Sequence, residues 1–230
     1  MDTVLAELRV LQDPAYRAFH SRLVPTVDPE RIIGVRTPAL RAYAKRLARE
    51  RPDEARAFMA EAPHTYYEEN NLYGELIDLL YRRDLETTLL ELDGFLPQVD
   101  NWATCDLLAP KVLARHPQAT LAKVRDVWLA SDHLYTVRFG INELMRDFLG
   151  ERFEADHLRW VAGLPAGKYY LDMGRAWYFS MALVKQYEAT VGMFETPVLD
   201  AWTHNKALQK ARESRRVPQE VKDYLQGLKV

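Results

Sequence analysis

The sequence predicts an all-α protein, an α-α superhelix (solenoid) built from repeated helix pairs. Three observations predict it. Helical patterns of roughly 10–18 residues are joined by short breaks, which favours antiparallel helix pairs. No stretch alternates apolar and polar residues as a half-buried strand does. Aromatic clusters recur at a nearly constant spacing, as expected of stacked repeats.

The helix starts are marked by proline and by capping residues. Thr37-Pro38 predicts an N-cap followed by proline at the first helical position. The helix that follows carries one apolar stripe at the spacing i, i+3, i+4, i+7, formed by Leu40, Tyr43, Ala44 and Leu47. Further breaks are expected at Pro52-Asp53, Pro63-His64-Thr65, His116-Pro117, Ala130-Ser131-Asp132, Pro165-Ala166-Gly167 and Val217-Pro218.

The repeat is read from aromatic residues at helix starts, which lie about 33–36 residues apart. These starts are Tyr66-Tyr67, Trp102, Tyr135 and Tyr169-Tyr170. In a solenoid, equivalent helices line one concave face, so side chains at equivalent points converge there. We therefore expect a single repeat domain over residues 1–230.

Composition fits a soluble globular protein, with 48% apolar and 28% charged residues. The single cysteine, Cys105, excludes an intramolecular disulfide, fits a reducing compartment and is expected in the core. The first ten residues lack the basic start and apolar run of a signal peptide, and no apolar run is long enough to cross a bilayer. We expect a cytoplasmic monomer without a targeting signal or membrane contact.

Charge is segregated along the chain. The formal net charge of −2 argues against a general nucleic-acid coat, because phosphate binding usually needs a basic excess. One segment near the C-terminus is nevertheless strongly basic and indicates a local phosphate-binding patch. Its cations are Lys206, Lys210, Arg212, Arg215 and Arg216.

Trp102 and Asp106 form the first candidate site. They are four residues apart, so on a helix they project side by side from one face. Asp100 and Asn101 precede them as candidate N-cap residues, which places the pair in the first turns of a helix. The alternative interpretation is a core tryptophan and a solvated acid favoured by the helix dipole.

Arg138 and Trp177 are the other candidates. Arg138 is expected at the edge of a buried stripe made by Val137, Ile141, Leu144, Met145 and Phe148. In the alternative interpretation, its side chain extends along the helix surface to solvent. Trp177 lies in a segment that is apolar nearly all round, so the alternative to a functional role is a buried position in the core. The histidines lack metal-ligand spacing, and no phosphate loop occurs, so we expect no metal and no cofactor.

Five segments in this order resemble the AlkC/AlkD-type DNA alkylation repair family, most closely its AlkD-like branch. They read IIGVRTPALRAYAK, VDNWATCD, LYTVRFGINEL, YYLDMGRAWYF and NKALQKARESRRV, and they cover most of the chain. The resemblance implies a HEAT-like superhelix that cradles duplex DNA at the nucleoid. It also implies excision of cationic N3- or N7-alkylpurines without a metal.

The resemblance assigns roles to individual positions. The catalytic aspartate of the family falls on Asp106, and its aromatic walls fall on Trp102 and Trp177. Its phosphate-binding arginine falls on Arg138, and Thr37 falls in a stretch that touches the DNA backbone. One position departs from AlkD itself, which carries a second tryptophan where this chain has Asn101.

Two other functions are compatible with the sequence. A non-catalytic relative would bind damaged or branched DNA in a salt-dependent manner without releasing a base. A protein-binding helical scaffold would have an acidic or apolar concave face and no affinity for DNA.

Overall fold

The computed structural model describes residues 3–230, and these residues form α-helices joined by short 3₁₀ segments, a π-helical turn (Val124–Trp128) and irregular segments. Within that range the only extended pairing is an isolated bridge between Gln12 and Val35. The prediction of an all-α fold is confirmed. The chain divides into two compact units, unit 1 up to His116 and unit 2 from Pro117 onwards.

Unit 1 is built on three helices that pack side by side although another helix lies between each of them and the next in the sequence. The third helix packs against the fifth, and the fifth packs against the seventh. The helices between them pack on their sequence neighbours, which is the arrangement of stacked helix pairs. The helices are α1 (Thr3–Val10), α2 (Pro14–His20), α3 (Thr37–Glu50), α4 (Pro52–Ala60), α5 (Tyr67–Leu80), α6 (Leu85–Phe95) and α7 (Trp102–Leu107).

The apolar stripe of α3 is confirmed, since all four of its predicted residues are buried. The predicted N-cap is wrong by one residue. Arg36 occupies the cap position without a side-chain capping bond, and Thr37 is the first helical residue. Proline fits either register, because the first four N–H groups of a helix have no intrahelical partner and Pro38 lacks only one of them.

A buried carboxylate fixes the loop that leads into α3. Glu68 accepts hydrogen bonds from three consecutive backbone N–H groups, those of Ile33 (2.8 Å), Gly34 (2.6 Å) and Val35 (3.1 Å). Burial raises the pKa of Glu68, although the three N–H donors oppose that change by favouring the carboxylate. This clamp ties the loop to the first turn of α5 and sets where α3 begins.

Unit 2 repeats the side-by-side pattern. Helix α11 packs against α9 on one side and, most extensively, against α14 on the other. The helices are α8 (Pro117–Lys123), α9 (Leu134–Asp147), α10 (Ala155–Ala162), α11 (Tyr169–Lys185), α12 (Tyr187–Thr190), α13 (Gly192–Glu195), α14 (Ala201–Glu213) and α15 (Gln219–Gly227).

The breaks predicted from sequence all fall between or at the starts of helices, and α5, α7 and α11 begin on the predicted aromatics. Of the stripe predicted on α9, Met145 is only half-buried, whereas the other members are buried. Cys105 is buried, as predicted. Among residues 3–230, no helix is both long enough and apolar enough to cross a membrane.

Candidate functional site

Helix α7 carries the first two candidate residues, and Asn101 determines where it starts. The Asn101 side-chain oxygen accepts from the Thr104 backbone N–H at 2.8 Å, so Asn101, and not Asp100, is the N-cap of the two predicted candidates. The Asn101 amide group also donates to the Thr104 hydroxyl at 3.0 Å. That hydroxyl donates in turn to the side-chain oxygen of Asn71 on α5 at 2.8 Å. The residue that departs from AlkD is therefore a buried structural cap in this chain.

Trp102 has both a structural contact and an accessible surface. Its indole N–H donates to the carbonyl of Leu23 at 3.0 Å. One side of the ring packs on a buried cluster, and the side chain as a whole is only half-buried. The cluster consists of Val24, Val27, Ile32, Tyr67 and Ala103. The tryptophan is thus held in one orientation with part of its surface exposed.

Asp106 lies one helical turn after Trp102 and is also half-buried. The short helix that carries both is anchored at its start by a second contact. Arg31 donates to the carboxylate of Asp100 at 2.8 Å and to the carbonyl of Thr65 at 2.8 Å. A carboxylate and an indole are therefore placed on a helix turn that three separate segments of unit 1 hold in position.

A cleft of about 330 Å³ in unit 1 was not anticipated as a functional site from the sequence. Its charged lining consists of Arg41, Lys45, Glu75, Asp78, Arg82 and Lys111. The Arg41 guanidinium pairs with Glu75 at 2.7 Å and that of Arg82 with Asp78 at 4.0 Å, which leaves Lys45 and Lys111 as the excess positive charge of the lining. Arg41 and Lys45 follow the half-buried Thr37 on α3 at intervals of one turn, and this spacing was the available sequence signal.

Arg138 lies deeper than predicted. It is 3% exposed and packs inside the contact between α9 and α11, so neither the core edge nor the helix surface describes its position. One terminal nitrogen donates to the Tyr170 carbonyl at 2.6 Å. Gly174 makes room for it, since a Cβ there would lie 3.2 Å from that nitrogen. Arg138 thereby orients the first turn of α11.

Trp177 is on the accessible side of the same helix. It is 36% exposed, so a core position is excluded. Its own helix is fixed from the opposite side by Arg175, which is buried and pairs with Asp172 (3.2 Å) and Asp200 (2.9 Å). Arg175 also donates to carbonyls at the end of α10. Sequence reasoning missed this ion network, because Asp200 lies 25 residues after Arg175 in the chain.

The basic segment is accessible. Lys206, Lys210 and Arg212 are half-buried on α14, and Arg215 and Arg216 are exposed beyond its end. Within residues 3–230, none of these five cations forms an ion pair; the Lys206 ammonium donates to Gln209 at 3.0 Å. Cations without carboxylate partners are available to phosphates.

Trp102 and Asp106 belong to unit 1, whereas Arg138, Trp177 and the basic segment belong to unit 2. Comparison with protein families finds a match to the model described as "DNA alkylation repair enzyme" over residues 4–163. This range includes Trp102, Asp106 and Arg138 and ends before Trp177. No curated protein matches the chain.

Proposed function

Because the chain belongs to the DNA alkylation repair enzyme family, we propose that it is a DNA glycosylase that excises cationic N3- or N7-alkylated purines from duplex DNA. The observation that carries the proposal is the pair on α7, where Trp102 and Asp106 lie one turn apart on a firmly held helix and both keep accessible surface.

The chemistry requires little more than stabilisation of positive charge. Alkylation at N3 or N7 leaves the base cationic and therefore already a good leaving group. Breaking the bond from C1′ to nitrogen develops oxocarbenium character on the sugar, as in glycoside hydrolysis. The Asp106 carboxylate would stabilise that charge and orient or deprotonate the attacking water, whose proton it accepts.

The two tryptophans would contribute through their ring faces. An indole face attracts a nearby cation by about 0.5–2 kcal/mol, depending on desolvation. Trp102 is held by its bond to the Leu23 carbonyl, so its face need not be ordered when DNA binds. Trp177 is proposed to act in the same way from α11.

DNA binding is assigned to cations in both units. Arg138 is proposed to contribute to a phosphate site beside the lesion. Because it is only 3% exposed, it would do so chiefly by orienting the first turn of α11 through its hydrogen bond to the Tyr170 carbonyl. Thr37, the cleft lined by Arg41 and Lys45, and the five cations from Lys206 to Arg216 would add backbone contacts that do not depend on sequence. The substrate is thus duplex DNA that contains alkylated bases.

The proposal is tested by incubating the purified protein with methylated duplex DNA in EDTA and measuring freed methylpurines. A hydrolysis that depends on Asp106 and the indoles continues when metals are chelated. Release of 7-methylguanine or 3-methyladenine above the spontaneous rate is the expected result, and release at the spontaneous rate only would overturn the proposal.

A second candidate is a non-catalytic member of the family that binds damaged or branched DNA. One observation favours it: Asn101 is a buried helix cap, so the position of AlkD's additional indole contributes no ring here. This candidate gives salt-dependent DNA binding without base release in the same assay.

A further inference from the structure

Two exposed aromatic side chains in unit 2 have no part in the function proposed above. Tyr169 at the start of α11 is 59% exposed, and Trp202 in the first turn of α14 is 42% exposed. Their rings meet edge to face, with centroids 5.7 Å apart and planes at 63°. Tyr178 and Phe179, later on α11, are by contrast fully buried. A paired, solvent-facing phenol and indole indicate a binding surface.

Trp202 also forms one wall of a cleft of about 330 Å³. The polar and charged lining consists of Asn205, Lys206, Gln209, Arg212 and Lys229. No carboxylate side chain is among the lining residues of this cleft. An aromatic surface is therefore continuous with a group of three cations.

The neighbouring acids have partners other than the three cations. Asp200, two residues before Trp202, pairs with the buried Arg175 at 2.9 Å. Glu213 accepts a hydrogen bond from Gln209 at 2.9 Å. Within the described part of the chain, Lys206, Arg212 and Lys229 form no ion pair, and the buried Nε of Arg212 has no hydrogen-bond partner. The cleft therefore has a net positive charge that a bound anion would neutralise.

This combination suits one kind of ligand. The face of an exposed aromatic ring binds a planar base by stacking, and adjacent cations bind phosphate; a nucleotide carries both groups in one unit. In an intact duplex the faces of the bases are covered by their neighbours, so only an unpaired base can stack on a protein side chain. The ligand chemistry is therefore that of a nucleotide outside a base-paired stack.

We propose that Trp202, with Tyr169 set edge to face against it, stacks an unpaired base of the DNA substrate while Lys206, Arg212 and Lys229 hold its backbone phosphate. The inference rests on the proposed function in one respect, since it takes the unpaired nucleotide from DNA opened at a lesion. Its consequence is that unit 2 recognises locally unstacked DNA as well as the duplex backbone.

The test compares two fluorescein-labelled strands of equal length, an oligothymidylate and a strand of abasic sites, by fluorescence anisotropy at fixed salt. Trp202→Ala is expected to weaken binding of the oligothymidylate by about ten- to a hundredfold, and to leave the abasic strand unaffected. Lys206→Ala is expected to weaken binding of both strands by the same factor, because it removes a cation that binds phosphate.

Tyr224→Ala is the matched control, since Tyr224 is an exposed aromatic of unit 2 that hydrogen-bonds to Glu195 away from this cleft. It should leave both affinities unchanged. Tyr169→Ala is a second variant, should Trp202→Ala fold poorly, and it should show the same selective loss. Equal effects of the aromatic substitutions on both strands, or no effect on either, would overturn the inference. Tighter binding of an oligouridylate than of the oligothymidylate would overturn the assignment to DNA.

The two proposals fail separately. If the protein releases methylpurines and Trp202→Ala does not change strand binding, the inference is wrong and the glycosylase function stands. If no methylpurine is released but binding of the oligothymidylate depends on Trp202, the glycosylase function is wrong and the unpaired-base site stands.

Discussion

At the scale of single residues, Trp102 and Arg138 combine a proposed role in the site with a structural partner. Trp102 hydrogen-bonds to Leu23, and Arg138 hydrogen-bonds to Tyr170. Asp106 follows Trp102 on a helix capped by Asn101. The structural and functional interpretations considered from sequence are therefore not exclusive, because the contact that buries part of a side chain also orients the rest of it.

Glu143 on α9 gives a prediction about pH. It is fully buried, and burial raises the pKa of its carboxyl to about 8; Arg146 opposes this change and Asp147 adds to it. The folded protein therefore favours the protonated form more than the unfolded chain does. The stability from this group is fully present below the unfolded pKa of about 4.3 and is lost as pH rises through about 8.

The measurement is urea unfolding of the wild type and of Glu143→Gln, which mimics the neutral carboxyl, at several pH values. The free energy of unfolding of the variant minus that of the wild type should increase by a few kcal/mol as the pH is raised from mildly acidic values to pH 9. The same substitution at the exposed Glu151 is the control. A constant difference between Glu143→Gln and the wild type across this range would contradict the account.

At the scale of elements, helix starts were the most predictable features of the sequence. Asp100 and Asn101 were both candidate caps of α7, and capping is local enough to be predicted because the partner of Asn101, Thr104, is only three residues away. The start of α3 was misplaced by one residue, because Glu68, more than 30 residues later, fixes the preceding loop. Proline and local capping chemistry are visible in a short window of sequence, whereas such long-range clamps are not.

Two glycine substitutions test this loop. Gly34 has φ +97°, and a Cβ there would lie 2.7 Å from the Arg17 Cβ and 2.8 Å from the Asp13 carbonyl oxygen. Gly34→Ala should destabilise the protein by at least about 2 kcal/mol in chemical denaturation. Gly94→Ala on α6 is the matched control, since a Cβ there meets no atom within 4 Å. It should be neutral or stabilise by about 0.5–1 kcal/mol. Equal effects of the two substitutions would show that the loop does not require this conformation.

At the scale of the whole molecule, charge distribution is more informative than net charge. The formal charge of −2 coexists with a basic segment whose cations have no carboxylate partners among the described residues. The family match ends at residue 163, before this segment and before Trp177. The sequence pattern alone predicted the basic segment, but not the cleft beside Trp202, since Lys229 reaches it from beyond α15.

The salt dependence of duplex binding tests the role of the basic segment. Replacing both Arg215 and Arg216 by alanine should lower the slope of log K against log salt by about 0.9 for each phosphate that the variant no longer neutralises. Arg125→Ala is the control, because Arg125 is exposed but paired with Asp126. An unchanged slope in the double variant would remove these two arginines from the DNA interface.

Most of the catalytic proposal depends on Asp106, so the most direct measurement is single-turnover release of 7-methylguanine from methylated duplex DNA by Asp106→Asn. The variant should release the base at least about a hundredfold more slowly than the wild type and bind the duplex with nearly the same affinity. Asp53→Asn, which alters an exposed aspartate on α4, should match the wild type in both. Wild-type release by Asp106→Asn would contradict the assignment of Asp106 as the catalytic carboxylate.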